Sequence, residues 1–297
     1  MRNTNLDPTK QWTLKEPISF AGVGLHGGEP VGVCVMPAPP GHGLVFSRVD
    51  LAGRPRVPAL AEYVSDTTLS TTLTRGKASV RTVEHLLGAL HGMGISNALM
   101  AVDGTEIPAL DGSAEAFVRA LMQTGRVSQE IERTIVSIDD RLEIDSGDRS
   151  VIYQPAEEAY ITYVVDYGHR LAGTQCWEGS ITPPVVKRDL APARTFCLLS
   201  DAERMRAAGL ARGGTFENSV VVLDNGYSSP LRYPDEFVRH KVLDLLGDLA
   251  LVGATWHGQV VAVKAGHSLH VELAGRLRSQ AIAQAKSQRR AVAAFAS

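Results

Sequence analysis

The chain has 297 residues, of which 44% are hydrophobic and 21% are charged, and its formal net charge is −2. This composition is typical of folded globular proteins and excludes a disordered or collagen-like chain. With 30 basic and 32 acidic residues and no long basic run, the charge pattern predicts no nucleic-acid groove. The length exceeds that of most single domains, so we predict two compact domains, residues 1–130 and 131–297.

The first residues, MRNTNLDPTKQW, lack the apolar core of a secretory signal. No segment has about 18 uninterrupted apolar residues, the length needed to cross a bilayer. We therefore expect a cytoplasmic protein without a membrane span. Its three cysteines, Cys34, Cys176 and Cys197, fit neither a disulfide framework nor a cysteine zinc site, so we expect them to be reduced and structural.

The first part of the chain alternates short β-rich runs with Gly and Pro over residues 12–80, which predicts antiparallel strands. From Thr82 the apolar residues recur at helical spacing, which predicts a helix with Thr82 as N-cap and Gly94 as stop. A strand ISNALMAV and a polar loop DGTEIPALDGS follow. A second helix is predicted from about Ser113 to Gly125.

The second part also begins with predicted strands, in ERTIVSI and AYITYVVDY. A helix entered through Pro234 follows, and Gly253 should end it. Its apolar stripe consists of Val238, Val242, Leu245, Leu249 and Val252. The strand QVVAVKA and a turn at Gly266 to Ser268 then lead into a last helix.

The order helix, strand, loop, helix thus occurs at about 82–124 and again at about 234–288, each time after a run of strands. We infer a structural duplication from this order, because residue identity between the two segments is poor. Runs of strands followed by helices predict the α+β class. The expected architecture is two domains, each with a layer of helices packed against a mainly antiparallel sheet.

Among the nine histidines, His240 is the most informative, because Asp244 and Asp248 follow it at i+4 and i+8 on one helix face. A histidine and a carboxylate one turn apart can chelate a zinc ion. On spacing alone, a solvated helix face that carries an ion pair is the more common explanation. A second group of ligands is needed to decide between them.

That second group is Glu84 and His85, which begin the first predicted helix at the place that His240 and Asp244 occupy in the second unit. His85 is therefore the candidate third ligand of a catalytic zinc site, with Glu84 as a candidate general base. An acidic residue is also favoured at a helix N-terminus without any catalytic role. Consecutive helical residues face different directions, so both reach one metal only if the first turn is distorted.

His267 lies between a predicted strand and a helix, where it is either structural or a cationic acid that stabilises an oxyanion. Asp248 is placed to keep that imidazole protonated. We predict His270 to be a surface residue. Gly213 and Gly214 permit a close approach of the backbone to a ligand, although no Walker or dinucleotide fingerprint is present.

Seven segments, taken in order, resemble the UDP-3-O-acyl-N-acetylglucosamine deacetylase family of lipid A biosynthesis. They are AGVGLHGG, TVEHLLGALHGMGISN, EIPALDGSAEAFV, ARTFC, GGTFENSVVV, FVRHKVLDLLGDLALVG and KAGHSLH. The resemblance covers nearly the whole chain. It implies two β-α-α-β sandwiches with the active site between them. It also implies hydrolysis of the N-acetyl group of a UDP-linked acylated amino sugar to acetate and a free amine, and we expect a monomer.

The resemblance implies roles for the residues at the matching positions. His85, His240 and Asp244 resemble the ligands of one zinc ion per chain, Glu84 resembles the general base and His267 the general acid. The sequence leaves open whether zinc or ferrous iron fills the site in cells.

Further roles follow in the same way. Asp248 resembles the residue that orients the general acid, and Thr195 resembles the hydroxyl group that stabilises the oxyanion. Lys241 resembles the cation that contacts the diphosphate, and Phe196 is expected to contact the sugar and its acyl chain. Gly213 and Gly214 are two further candidate substrate contacts. The family insert that forms a hydrophobic passage for the acyl chain is expected near residues 172–205, where the sequence leaves the preferred chain length open.

Two alternatives remain at this stage. One is a zinc amidase that acts on a different acylated sugar, and the other is a catalytically inactive relative that binds a ligand in the cleft. The presence of Glu84, His85, His240, Asp244 and His267 favours catalysis, because a binding scaffold has no need of all five.

Overall fold

The computed structural model describes residues 7–295 as an α+β protein made of two similar halves. The elements of the first half are β1 (Lys10–Leu14), β2 (Ile18–Val23), β3 (Pro30–Pro37), β4 (Leu44–Arg48), β5 (Arg56–Pro58), β6 (Val64–Asp66), β7 (Thr72–Arg75), β8 (Ala78–Arg81), α1 (Glu84–Gly92), β9 (Ala98–Val102), α2 (Glu115–Thr124) and β10 (Arg126–Glu132). A short 3-10 helix, Ala61–Tyr63, precedes β6.

The second half repeats this plan with added elements. It contains β11 (Ile135–Val136), β12 (Leu142–Ser146), β13 (Arg149–Gln154), β14 (Ala159–Asp166), β15 (Thr174–Ser180), α3 (Pro183–Val185), β16 (Phe196–Leu198), α4 (Leu199–Ala207), β17 (Val220–Leu223), β18 (Gly226–Tyr227), α5 (Glu236–Leu249), β19 (Thr255–Trp256), β20 (Gly258–Val263) and α6 (His267–Phe295). A π-helical turn, Val186–Leu190, continues α3, and a 3-10 turn, Ala250–Val252, continues α5.

The two large sheets have the same topology, which confirms the predicted duplication. The strand order is β2-β3-β9-β4-β5 in the first half and β12-β13-β20-β14-β15 in the second. Each sheet has one parallel pair, β4 with β9 and β14 with β20, while the other neighbours are antiparallel. Since α1 and α2 flank β9 as α5 and α6 flank β20, each half is a β-α-α-β unit.

One hydrophobic cluster extends through both halves. In α5 every residue except Arg239 and Lys241 is buried, including the predicted apolar stripe and the polar residues between its members. Gly253 follows the helix in the left-handed conformation, with φ of 75°, as the sequence predicts. A solvated helix face is therefore excluded as the explanation of the α5 carboxylates, because burial of a charged group requires a partner.

Helices α1 and α5 cross at a pair of glycines. A Cβ atom on Gly88 would lie 3.1 Å from the carbonyl oxygen of Leu243, and a Cβ atom on Gly247 would overlap the carbonyl oxygen of Glu84. The two contacts are equivalent, because each pairs a glycine with the carbonyl group four residues before the other glycine. The absence of both side chains lets the two backbones touch.

We predict that Gly247→Ala lowers the free energy of unfolding by about 2–3 kcal/mol, because the added methyl group overlaps the α1 backbone. In an unpacked helix the same change would be favourable by about 1 kcal/mol. Chemical denaturation measures the difference. Gly226→Ala is the matched control, since a Cβ atom there meets nothing within 4 Å. Equal stability of the two variants would contradict the close crossing of α1 and α5.

Two predicted boundaries are wrong. Thr82 is not the N-cap of the first helix, because α1 begins at Glu84 after Val83. Thr82 instead has a positive φ of 56°, and its Oγ1 donates a hydrogen bond to Glu106 Oε1. The segment 172–205 is not a single insert, because its first part, β15, is the edge strand of the second sheet. The added elements follow β15 and extend to β18, with β16, β17 and β18 forming a small separate sheet.

None of the helices in the described part of the chain combines the length and the hydrophobicity that a bilayer crossing requires.

The proposed domain boundary near residue 130 lies within β10, which pairs with β1 and so closes the first half onto its own N-terminal strand.

Candidate metal centre

The crossing of α1 and α5 brings together His85, His240 and Asp244. The Nε2 atoms of both imidazoles lie 3.4 Å from Asp244 Oδ1, and one ligand atom from each of the three residues lies within 4.8 Å of the other two. All three side chains are buried. His85 and Asp244 occupy equivalent places, since each lies three residues before the glycine of its helix.

The donor set of this trio fits a divalent transition metal. Two imidazole nitrogens and a carboxylate oxygen form a common set of protein ligands for a catalytic zinc ion. Ligands about 2.0–2.1 Å from a tetrahedral ion are separated from each other by about 3.3–3.4 Å. The 3.4 Å between Asp244 Oδ1 and each imidazole matches that separation.

The protonation of His240 suits metal binding. Its Nδ1 lies 3.1 Å from the carbonyl oxygen of Ala193 and donates to it, so Nε2 keeps its lone pair toward Asp244. Burial lowers the pKa of His240 to about 4, which keeps the imidazole neutral. Burial alone would raise the pKa of Asp244, but the charges of Lys241 and His267 and the hydrogen bond from His85 hold it well below its usual range. The carboxylate is therefore ionised, with Lys241 Nζ 2.7 Å from its Oδ2.

Glu84 lies beside the trio without being part of it. One of its oxygens belongs to a second group, with Asp244 and His267, whose ligand atoms also lie within 4.8 Å of one another. Glu84 and His85 thus face the same cleft, as consecutive residues of the first turn of α1. Burial raises the pKa of Glu84 above its usual value, so its carboxylate has an increased affinity for a proton.

His267 forms a buried pair with Asp248. Its Nδ1 donates to Asp248 Oδ2 over 2.8 Å. Burial alone would lower the pKa of His267, but the negative charge and the hydrogen bond of Asp248 outweigh it and raise the pKa to about 9. His267 is therefore a cation at neutral pH, beside the metal trio.

We predict that Asp248→Asn lowers the pKa of His267 from about 9 toward its ordinary value of 6.5. The sign follows from removing the carboxylate charge that raises the pKa while leaving the burial that lowers it. Titration of the His267 ring by NMR in metal-free protein measures the change. Asp166→Asn is the control, because that carboxylate is exposed and pairs with Lys264. A His267 pKa that is unchanged in Asp248→Asn would contradict the assigned pair.

The prediction of His270 as a surface residue is wrong. Its side chain is completely buried, with Nδ1 3.0 Å from Asp248 Oδ2 and Nε2 3.0 Å from the hydroxyl oxygen of Tyr163. His270 follows His267 by three residues, which places both on one face of α6. That spacing is the signal that identifies His270 as a second partner of Asp248.

A cavity of about 620 Å³ opens above these residues. Its polar base includes Glu84, His85, His240, Asp244 and His267. Its walls come largely from the added elements of the second half and are mostly apolar. They include Tyr167, Phe196, Leu198, Met205, Phe216 and Val221.

The remaining predicted site residues divide into two groups. Thr195, Phe196, Lys241 and Gly214 line the cavity. Gly213 does not line it. A Cβ atom at Gly213 would overlap the carbonyl oxygen of Gly24. The close approach that Gly213 permits is therefore between two parts of the chain, and not toward a ligand.

His26 also lines the cavity, although the motif GVGLHGG alone indicates only a tight turn. Its ring is buried, and neither nitrogen has a hydrogen-bond partner among the described residues. Glu106 shapes this turn by accepting hydrogen bonds from the backbone amides of His26 and Gly27, at 2.9 and 2.8 Å. Burial lowers the pKa of His26 to about 4, so it faces the cavity as a neutral group.

The arrangement combines a metal-binding trio, a carboxylate able to accept a proton, a cationic imidazole and an apolar cavity. These are the parts required for metal-assisted hydrolysis of an acyl group. A carboxylate beside a metal can activate water, and a cation opposite it can stabilise the oxyanion that forms.

Comparison with known proteins agrees with this chemistry. The family model described as UDP-3-O-acyl N-acetylglycosamine deacetylase matches residues 11–279. A protein of Myxococcus xanthus named UDP-3-O-acyl-N-acetylglucosamine deacetylase is 42% identical, over 91% of this chain and 86% of its own length. The protein of the same name from Trichormus variabilis is 43% identical, over 90% of this chain and 98% of its own length. The one from Thermosynechococcus vestitus is 42% identical, over 94% of this chain and 98% of its own length.

Proposed function

Because the chain belongs to the UDP-3-O-acyl N-acetylglycosamine deacetylase family, we propose that it hydrolyses the N-acetyl group of a UDP-3-O-acyl-N-acetylglucosamine in a zinc-dependent reaction. The products are acetate and UDP-3-O-acyl-glucosamine, an intermediate of lipid A biosynthesis. The observation that carries the proposal is the buried trio of His85, His240 and Asp244 at the base of a cavity with apolar walls. The nucleotide sugar is a cytoplasmic substrate, so we propose that the enzyme acts there, as a monomer.

The metal of this proposal is one zinc ion held by His85, His240 and Asp244, and the same ligands also accept ferrous iron. When bound, the ion supplies Lewis acidity and lowers the pKa of a water molecule toward neutrality. His240 contributes through its hydrogen bond to Ala193, which keeps Nε2 directed at the site.

Glu84 acts as the general base. Its burial raises its pKa above the ordinary value, which makes the carboxylate a stronger proton acceptor. It removes a proton from the attacking water, and the nucleophile adds to the N-acetyl carbonyl carbon.

His267 and Thr195 act on the oxygen that becomes negative. The imidazolium of His267 is held by Asp248 and provides a positive charge at the buried base of the cavity. The Thr195 hydroxyl group donates to the same oxyanion. As the tetrahedral intermediate collapses, His267 donates its Nε2 proton to the leaving amine, and acetate is released.

The rest of the cavity binds the substrate. Lys241 contacts the diphosphate with its positive charge, and Phe196 packs against the sugar and the start of the acyl chain. The apolar residues of α4 and β17, with Phe216 between them, provide the passage for the acyl chain. Gly214 allows the chain backbone to approach the ligand at the cavity wall. The apolar area of these walls favours an acylated sugar over an unacylated one.

The test is acetate release from UDP-3-O-acyl-N-acetylglucosamine by purified protein loaded with zinc. We expect turnover that a chelator abolishes and that added zinc restores. The same assay with UDP-N-acetylglucosamine, which lacks the acyl chain, should give a much lower kcat/KM. Comparable turnover of both would indicate an amidase of another specificity. Binding of the substrate without acetate release from the metal-loaded protein would indicate an inactive ligand-binding relative, and either result would overturn the proposal.

A further inference from the structure

Thr71 makes two hydrogen bonds that join the two sides of the site. It is completely buried and precedes β7 in the first half. Its backbone N–H donates to Glu84 Oε2 over 3.1 Å, and its Oγ1 donates to Asp248 Oδ1 over 2.6 Å. One residue thus contacts the carboxylate assigned as general base and the carboxylate that holds His267.

We infer that Thr71 is a positioning residue. Its hydroxyl group fixes Asp248 and so His267, whose Nδ1 also lies 3.4 Å from Thr71 Oγ1, and its backbone amide fixes Glu84. The inference rests on the proposed function for the roles of Glu84 and His267. Thr71 itself contacts neither the metal ligands nor the groups proposed to bind the substrate. It acts through the general base, Glu84, and the general acid, His267.

The hydrogen bonds of Asp248 show why Thr71 is needed. Its Oδ2 accepts from the Nδ1 atoms of both His267 and His270, at 2.8 and 3.0 Å. Among the described residues, its Oδ1 accepts a side-chain hydrogen bond from Thr71 alone. Without the hydroxyl group, Oδ1 would be a buried charged atom without a donor, and the carboxylate would rotate to share its two imidazoles differently.

The backbone contact has an equivalent effect on Glu84. Oε2 of Glu84 accepts from the Thr71 amide, and Oε1 has no hydrogen bond to any residue in the part of the chain that the structure describes. Oε1 is therefore the oxygen that remains for a proton from water. Fixing Oε2 selects one orientation of the carboxylate, and such preorganisation lowers the cost of reaching the transition state.

A purely structural threonine would have a different signature. It would stabilise the fold, and its loss would lower protein stability without a specific effect on turnover. The substitution Thr71→Val separates the two roles, because valine has the same shape and the same backbone amide but lacks the hydroxyl donor. Thr71→Ser is the reverse case, because serine keeps the hydroxyl donor but lacks the methyl group that packs in the core.

The experiment compares three zinc-loaded full-length variants with the wild type. We expect Thr71→Val to lower kcat by about 10–100-fold, the effect of one hydrogen bond to a buried charge, with KM and zinc content nearly unchanged. Thr71→Ser should recover kcat to within a few-fold of the wild type. Thr74→Val is the matched control, because its hydroxyl group bonds Ser65 and Ser79 and not the site. It should have the wild-type kcat.

Crystal structures of the wild type and Thr71→Val provide a readout that does not depend on activity. We expect the distance between Asp248 Oδ2 and His267 Nδ1 to lengthen from 2.8 Å to beyond hydrogen-bond range in the variant. An unchanged Asp248 would overturn the inference, as would a wild-type kcat in Thr71→Val or an equal loss in Thr71→Ser. Absence of acetate release from the wild type would refute the proposed function instead, and the structures would still test the placement by Thr71.

Discussion

Replacement of His240 by alanine is expected to remove both the bound zinc and the deacetylase activity. The imidazole is one of the three proposed ligands, and its Nε2 lies 3.4 Å from Asp244 Oδ1 in a buried site. Loss of a residue that only orients a ligand costs about 10–100-fold in metal affinity, so loss of the ligand itself should cost more. Elemental analysis of the purified variant and an acetate-release assay measure the two losses.

The control for this prediction is His91→Ala. His91 is on the last turn of α1, at the other end of the helix from His85, and burial beside Arg133 lowers its pKa to about 4. The control should retain one zinc ion per chain and the wild-type turnover. A His240→Ala protein that still binds one zinc ion with wild-type affinity would remove His240 from the ligand set.

Replacement of Glu84 by glutamine or by alanine is expected to abolish turnover while the protein retains its zinc. The amide of glutamine can still accept the hydrogen bond from Thr71, but it cannot take a proton from water. Removal of a general base typically costs about 10²–10⁴-fold in rate. The effect should therefore appear in kcat at unchanged zinc content and nearly unchanged KM.

Glu62→Gln is the matched control, because Glu62 is an exposed carboxylate that pairs with Arg278. It should leave turnover and zinc content unchanged. If Glu84→Gln and Glu84→Ala lose zinc to the same extent as His240→Ala, Glu84 is a ligand and the general base must be sought elsewhere in the site.

The order of elements and the duplication were predictable because they depend on local patterns. Apolar residues at helical spacing identify α1 and α5, and Gly253 ends its segment as predicted. The spacing of His240 and Asp244 identifies two of the three candidate metal ligands. Spacing alone favoured a solvated face, however, since the burial of α5 depends on α1 and the sheets that pack around it.

Other features could not be identified from local sequence patterns alone. Thr71 belongs to a run of threonines and serines that resembles any exposed strand, and its contact with Asp248 joins residues that are distant in the sequence. His270 was predicted wrongly because its spacing from His267 has meaning only once a buried acceptor lies opposite both. Gly213 was interpreted as a ligand contact, although its partner is the backbone of Gly24. Each of these depends on tertiary contacts that no short window of sequence contains.

Because α1 and α5 touch at Gly88 and Gly247, binding of a metal by the proposed ligands would be coupled to the packing of the two halves against each other. One half supplies His85 and the other supplies His240 and Asp244, so the complete chelate exists only while the helices are in contact. A displacement of one residue along either helix, about 1.5 Å, would separate the ligands. By linkage, a free metal-ion concentration of a hundred times the dissociation constant stabilises the docked state by about 2.7 kcal/mol. A metal ion bound by the three proposed ligands would therefore cross-link the duplicated units as well as serve in catalysis.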